Sequence, residues 1–150
     1  MSSPIRSDEL FSAWTRNQWK PAYLFTGTED FLIEQAVIQA SAHWLKDDHS
    51  GGLNLDRFDA ESHNPGEILQ AAQTVPFLGN LRVVRVDNVS AFSAADQTFL
   101  AENLSVIPPE THLLFIWGRE WRRDDAKKAL VEALAERGAV VIFWPPFAEQ

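Results

Sequence analysis

The sequence has 150 residues, 45% hydrophobic and 23% charged, a mixture typical of a globular domain rather than a collagenous or wholly disordered chain. It contains no cysteine, which excludes disulfide frameworks, zinc ribbons and thiol catalysis. Thirteen basic against twenty-one acidic residues give a formal net charge of −8, which argues against a surface built to hold phosphate backbones. The first residues show no apolar signal core, and no run approaches the roughly 18 apolar residues of a membrane span, so we expect a cytoplasmic protein.

Helical patterns and short apolar runs alternate along the chain. In chain order the predicted elements are helix 7–19, strand 22–26, helix 30–45, strand 53–59, helix 64–76, strand 82–86, helix 93–104, strand 113–117, helix 126–137 and strand 139–143. Five strands separated by helices predict right-handed crossovers and a three-layer α/β fold, with a mainly parallel five-stranded sheet and helices on both faces.

No repeat, low-complexity tract or linker interrupts this alternation. We therefore predict one domain over residues 1–150, with an N-terminal helical segment at about 1–20 and an α/β core over 21–150. Ser7, Asn64 and Ser93 are the predicted N-caps, and Pro145-Pro146 is expected to end the last strand.

Ligands of an open parallel sheet bind beyond the carboxyl ends of the strands, and residues 26–30 form the first such connection. A phosphate-binding loop there requires Gly-x4-Gly-Lys-Ser/Thr. Counted from Gly27, the second Gly, the Lys and the Ser/Thr positions hold Leu32, Ile33 and Glu34. The pattern favours a tight strand-to-helix turn, so we expect no nucleotide cofactor and no ATPase activity.

Asp87 follows the third predicted strand, where a metal-binding or phosphate-accepting carboxylate would stand. With Glu29 and Asp30 it could form the acidic site of a receiver-like signalling domain, but the Lys expected after the fifth strand is missing. A solvated or helix-capping Asp87 is the alternative. The histidines have no zinc-binding spacing, so we expect no metal; they are His43, His49, His63 and His112.

A basic cluster precedes the last predicted helix, and it surrounds Trp121. Its members are Arg119, Arg122, Arg123, Lys127 and Lys128. Glu120, Asp124 and Asp125 lie between them, which favours a salt-bridged start of the helix over a nucleic-acid surface.

The connection over residues 73–80 is apolar where a solvated connection is expected. It contains Val75, Pro76, Phe77 and Leu78 in succession. Two interpretations stay open: Phe77 fills the protein's own core, or it is an exposed anchor for a partner.

Several of these segments together resemble the delta subunit of the bacterial DNA polymerase III clamp loader, over residues from about 20 to 150. The general part is Ala22-Tyr23-Leu24-Phe25-Thr26-Gly27 followed by a helix, and Leu53-Asn54-Leu55-Asp56. The specific part runs from Ala71 to Asn88, including Thr74-Val75-Pro76-Phe77-Leu78-Gly79 and Arg82-Val83-Val84-Arg85-Val86-Asp87.

The resemblance implies a AAA+-type N-terminal domain with a degenerate P-loop that has lost ATP binding. In that family the domain inserts an apolar wedge into the ring-shaped sliding clamp and opens one clamp interface during DNA replication. The family's paired apolar anchors correspond to Pro76 and Phe77, and Thr74 occupies the position of a bulkier apolar contact. Val75 and Leu78 flank the anchors.

The resemblance also implies partners other than the clamp. Family members belong to a DNA polymerase III holoenzyme, a DNA-directed DNA polymerase, and carry a lid domain and a helical collar that join the other clamp-loader subunits. Neither is expected in these 150 residues, so we expect a fragment of the family's full length, without strong DNA binding of its own. A receiver-like domain phosphorylated on Asp87 and a nucleotide-binding enzyme with an unusual loop are the alternatives.

Overall fold

Six parallel strands form a single sheet in residues 3–144, the part of the chain that the computed structural model describes. The order across the sheet is β1-β6-β2-β5-β4-β3. In chain order the elements are β1 (Ile5–Arg6), α1 (Ser7–Thr15), β2 (Ala22–Gly27), α2 (Asp30–Trp44), β3 (Leu55–Asp59), α3 (Pro65–Ala72), β4 (Arg82–Asp87), α4 (Ala94–Asn103), β5 (Thr111–Ile116), α5 (Ala129–Arg137) and β6 (Ala139–Phe143).

The five predicted strands are confirmed to within two residues at each end, but the predicted count of five is wrong. The sixth strand, β1, has two residues and pairs with β6 through Ile5 opposite Val141 and Arg6 opposite Ile142. A two-residue strand carries no alternation, so its sequence gives no periodic signal.

All five predicted helices are longer than the observed ones, three of them by three residues or more. The chain leaves α1 after Thr15 because Asn17 adopts a positive φ of 58°, and α3 ends at Ala72 rather than near Pro76. Residues 123–127 form a separate 3₁₀ turn, and Lys128 is extended, so α5 begins at Ala129. Ser7 is the first helical residue rather than the N-cap.

The sheet is covered on both faces, which confirms the three-layer prediction. Side chains of β2 alternate between the layers: Tyr23 and Phe25 pack with α1 and α2, whereas Leu24 packs with α3, α4 and α5. Buried helical residues on the first face include Leu10, Trp14, Ile33, Val37 and Trp44, and those on the second include Ile68, Ala72, Leu100, Leu130 and Leu134.

Two helix starts are capped as predicted. The Asn64 side chain accepts from the Glu67 amide at 2.9 Å, and the Glu67 carboxylate accepts from the Asn64 amide at 3.1 Å. Ser93 caps α4 by accepting from the Asp96 amide at 3.1 Å. The capping box fixes where α3 begins.

Because the strands are parallel, the connections form two groups at opposite ends of the strands, which we call the carboxyl edge and the amino edge of the sheet. Strand-to-helix connections lie at the carboxyl edge, and helix-to-strand connections lie at the amino edge. Because β3 and β4 are neighbours, the connections that precede them, residues 45–54 and 73–81, lie side by side at the amino edge.

Candidate functional site

The connection between α3 and β4 presents an apolar segment to solvent. Val75 is 74% exposed, Phe77 52% and Leu78 59%, while Pro76 between them is half-buried. Phe77 belongs to neither core, so the interpretation that it fills the protein's interior is wrong. We call residues 74–78 the anchor loop. An exposed apolar loop of this kind is a surface typical of partner binding.

Thr74 joins the anchor loop to the end of α3. Its hydroxyl donates to the Gln70 carbonyl at 3.1 Å, and its amide donates to the Ala71 carbonyl at 3.1 Å. Both groups therefore satisfy carbonyls that the helix leaves unpaired at its last turn. The loop thus begins at a fixed point.

The backbone of Phe77 is held by the side chain of Asn54, a fully buried residue of the neighbouring connection. The Phe77 amide donates to Asn54 Oδ1 at 2.8 Å, and Asn54 Nδ2 donates to the Phe77 carbonyl at 2.7 Å. Asn54 Nδ2 also donates to Asp48 Oδ1 at 2.9 Å, which fixes the orientation of the amide group. Asn54 therefore satisfies both backbone groups of Phe77 while the aromatic ring remains outside.

A further hydrogen bond holds the backbone at Leu78, the residue after Phe77. The His49 amide donates to the Leu78 carbonyl at 2.9 Å. Leu78 has a positive φ of 53°, a conformation that costs a non-glycine residue about 1–2 kcal/mol. Such strain persists only where surrounding contacts impose it, and it is concentrated at functional sites.

Arg82 ties the two connections together at the start of β4. Its Nε donates to the Ala71 carbonyl at 3.1 Å, and Nη1 donates to the Leu53 carbonyl at 3.2 Å. Its Nη2 forms an ion pair with Asp56. The Arg82 side chain is 10% exposed, and the partners of its guanidinium offset the cost of burying the charge.

At the opposite, carboxyl edge the loop after β2 is closed by the protein's own groups. The amides of Thr28 and Glu29 both donate to the Phe143 carbonyl, at 3.0 and 3.2 Å. Gly27 has a φ of 120°, and a Cβ there would overlap the backbone of Phe143. Glycine is thus required for packing against β6, and the amides that would hold a phosphate are already paired.

The residues at the P-loop positions have structural roles in this chain. Ile33 is buried against the sheet, and Glu34 accepts from both terminal nitrogens of Arg85, at 3.1 and 3.3 Å. Asp87 accepts from Arg85 Nε at 2.8 Å and lies 2.9 Å from Arg57 Nη2. Burial by itself would lower the pKa of Arg85, but the carboxylates of Asp87 and Glu34 raise it above its ordinary value. Asp87 is therefore held between two arginines.

The basic cluster at residues 119–128 is organised around Asp125, which is 1% exposed. Arg119 donates to both carboxylate oxygens at 2.7 and 2.9 Å, and the Arg122 amide donates to one of them at 2.7 Å. Burial opposes ionisation, yet these hydrogen bonds hold the pKa of Asp125 below its ordinary value. The predicted salt bridges are present, but they lie in a separate 3₁₀ turn rather than at the start of α5, and Arg122, Arg123 and Lys127 remain exposed on its surface.

Three of the four histidines pack against aromatic rings, with His63 meeting Phe58 edge-on at 5.2 Å, whereas His49 is exposed. His43 stacks on Trp19 at 3.9 Å between ring centroids, and the His112 ring meets Trp44 edge-on at 4.7 Å. Within residues 3–144 no group of three or more His, Cys, Asp or Glu side chains could hold a metal ion. Over the same range no helix is both long enough and apolar enough to cross a membrane.

Sequence reasoning identified the anchor loop but missed the residues that hold it, namely Asn54, His49 and Arg82. A signal was present in the topology. A polar residue between Leu53 and Leu55 at the start of a strand, with its connection next to the apolar one, predicts a polar contact between the two connections.

Two solved structures resemble this fold. The Bacillus subtilis DNA clamp loader delta protein matches with a TM-score of 0.74 and 20% identity, covering 91% of this chain and 42% of that chain. A DNA polymerase III gamma subunit-related protein from Thermotoga maritima matches with a TM-score of 0.62 and 12% identity, covering 93% and 46%. The parallel sheet and its two helical layers define a three-layer α/β domain that shares its fold with these two proteins.

Comparison of the sequence with known families identifies the family to which the chain belongs. The family model for the DNA polymerase III delta subunit matches residues 23–143, and the chain belongs to this family. Among curated proteins, DNA polymerase III subunit delta of Bacillus subtilis (strain 168) is 25% identical over 134 residues. That match covers 83% of this chain and 38% of the relative's length. Nothing in these comparisons supports the receiver-like alternative at Asp87.

We predict that Asn54→Asp loosens the anchor loop without changing its apolar side chains. The substitution is nearly isosteric, but it removes the donor to the Phe77 carbonyl and sets a carboxylate against Asp48. Unfolding in denaturant should show a loss of about 2–3 kcal/mol. Hydrogen exchange at the Phe77 amide should accelerate strongly.

The matched control for this change is Asn80→Asp, at an exposed position of the connection between α3 and β4, which should leave both measurements near wild type. An unchanged exchange rate at the Phe77 amide in Asn54→Asp would show that donation from Asn54 Nδ2 to the Phe77 carbonyl does not hold the loop.

We also predict that ATP with magnesium does not stabilise the protein. The amides of the loop after β2 are paired with Phe143, and Glu34 occupies the hydroxyl position. A ligand at 100 times its dissociation constant would add about 2.7 kcal/mol to stability. A thermal upshift with millimolar ATP that is absent with sulfate would contradict this expectation.

Proposed function

We propose that this chain is a clamp-binding domain of a DNA polymerase III clamp loader, which docks its anchor loop on the sliding clamp during DNA replication. The observation that carries the proposal is Phe77, an exposed aromatic side chain on a fixed backbone at the position that the family resemblance assigns to the clamp contact. Membership of the delta subunit family supports the choice of partner.

The anchor loop has the properties of a binding hot spot. Its central residue is aromatic, its neighbours Val75 and Leu78 are apolar, and Pro76 restricts the backbone before Phe77. Because Asn54 and His49 already hold the loop in the free protein, little conformational entropy remains to be lost on docking.

Clamp opening requires no catalysis by this domain. A protein that binds an open ring more tightly than a closed one shifts the ring toward the open form by that difference in affinity alone. We propose that the anchor loop acts in this way, as a wedge at one clamp interface. The ATP-dependent step would then belong to other subunits of the loader.

The chain spans 38% of the length of the curated relative. We propose that residues 1–150 are a single AAA+-like N-terminal domain, and that contacts with other clamp-loader subunits are made by the family's lid and collar domains. On this proposal the fragment binds the clamp but does not assemble a loader. Size-exclusion chromatography with the loader's motor subunits tests this, since a stable complex with the fragment would contradict it.

We predict that Phe77→Ala weakens clamp binding by about 2 kcal/mol or more, roughly thirtyfold in affinity. The side chain is half exposed in the free protein, so the free energy of unfolding should change little. Titration calorimetry with the sliding clamp of the same organism measures the first quantity, and denaturant unfolding measures the second.

The control is Phe31→Ala, since Phe31 is 74% exposed at the first turn of α2, on the opposite edge of the sheet. It should bind the clamp as wild type does. Unchanged clamp affinity in a folded Phe77→Ala protein would end the proposal.

We further predict that duplex DNA binds this domain only weakly at physiological salt. The formal charge of −8 opposes approach, and Asp125 neutralises part of the basic cluster. Fluorescence anisotropy with a labelled duplex tests this expectation. Tight binding with a steep salt dependence that Arg122→Glu removes would identify the 119–128 turn as a DNA-binding surface instead.

A further inference from the structure

We infer that the docking surface is composite, and that Leu53 on the neighbouring connection is a second contact residue for the same partner. This inference rests on the proposed function, because it takes the partner to be the sliding clamp. It extends that function to a segment far from the anchor loop in sequence, residues 49–55, which we call the glycine loop.

The exposed apolar side chains of the described residues are concentrated at this place. Nine large hydrophobic residues are exposed in residues 3–144: Phe31, Ile38, Leu53, Leu55, Val75, Phe77, Leu78, Phe99 and Val106. Five of the nine lie in the glycine loop and the anchor loop. The others lie on α2 or on α4 and the turn that follows it. The apolar surface at the amino edge therefore extends beyond the anchor loop.

Charged residues are absent from the two segments that carry these exposed apolar side chains. Residues 49–55 and 73–81 contain no Asp, Glu, Lys or Arg, in a chain where 23% of residues are charged. The centres of protein interfaces are depleted of charged residues in the same manner. These two uncharged segments lie side by side before β3 and β4 and form a surface suited to an apolar partner, bordered by Lys46, Asp47 and Asp48 at the start of the first connection.

Leu53 has no packing role that would explain its presence. It is 62% exposed, although Asn54 next to it is fully buried. Gly51 and Gly52 precede it with φ values of 74° and 98°, and no atom lies within 4 Å of the Cβ position of either. These glycines serve the reversal of the chain rather than close packing, and the reversal leaves Leu53 on the surface.

The two loops are held in a fixed relation to each other. Asn54 binds the Phe77 backbone at 2.7 and 2.8 Å, and it directly follows Leu53. Arg82 binds the carbonyls of both Leu53 and Ala71. A partner that contacts Phe77 therefore meets Leu53 in a constant position, at no additional cost of ordering.

The test measures the affinities of two variants, Leu53→Ser and Phe77→Ala, for the sliding clamp. A contact outside the central anchor should weaken binding by about three- to tenfold. Leu53→Met, which keeps an apolar side chain, should bind like wild type. Phe31→Ser, at an exposed apolar position on the opposite edge, is the matched control and should also bind like wild type.

The outcomes separate this inference from the proposed function. If Phe77→Ala weakens binding while Leu53→Ser matches the Phe31→Ser control, the composite surface is wrong and clamp binding by the anchor loop stands. If neither variant weakens binding, both proposals fail. Thermal unfolding of every variant accompanies the titrations, and a loss of affinity in Leu53→Ser with an unchanged melting temperature supports the inference.

Discussion

The contact between the Asn54 amide and the Phe77 backbone is the interaction on which the exposed apolar loop depends. Backbone N–H and C=O groups that approach the protein interior must be paired, and the anchor loop lies outside every strand. The Asn54 side chain supplies one acceptor and one donor, as a neighbouring strand would. The loop can then approach the body of the protein with its backbone while Phe77 keeps its ring in solvent.

The two edges of the sheet differ in the kinds of groups that they expose to solvent. At the carboxyl edge, where parallel α/β proteins usually bind ligands, three sets of polar groups are paired within the protein: the Thr28 and Glu29 amides with the Phe143 carbonyl, Arg85 with Glu34 and Asp87, and Asp125 with Arg119. At the amino edge the backbone groups of Phe77 and Leu78 are also paired, but five large apolar side chains remain exposed there. This arrangement favours a partner protein over a small anionic ligand, and it illustrates why a fold alone does not give a function.

Local patterns in the sequence predicted most of the fold. The caps at Asn64 and Ser93, the apolar runs of the central strands and the alternation of strands with helices act over a few residues, and each was found. The strand β1 was missed because two residues carry no periodicity. The start of α5 was placed too early because Asp125 organises a separate turn through Arg119 and Arg122.

The candidate site was predictable only in part, for a physical reason. The apolar run at residues 75–78 is visible in the sequence, but whether Phe77 is buried or exposed depends on a contact with Asn54, 23 residues away. A hydrogen bond between a side chain and a backbone group far away in the sequence produces no periodic pattern of residues. The absence of charge in residues 49–55 and 73–81 is a second feature of the composite surface that the sequence alone contains.

The central claim is that the amino edge, rather than the carboxyl edge, carries the function of this domain. A hydrogen-exchange footprint of the protein with and without the sliding clamp tests it most directly. We expect added protection of the backbone amides in residues 48–54 and 74–80 when the clamp is bound, with little change in residues 26–34 and 118–128. Protection confined to the carboxyl edge, with unchanged exchange around Phe77, would contradict it.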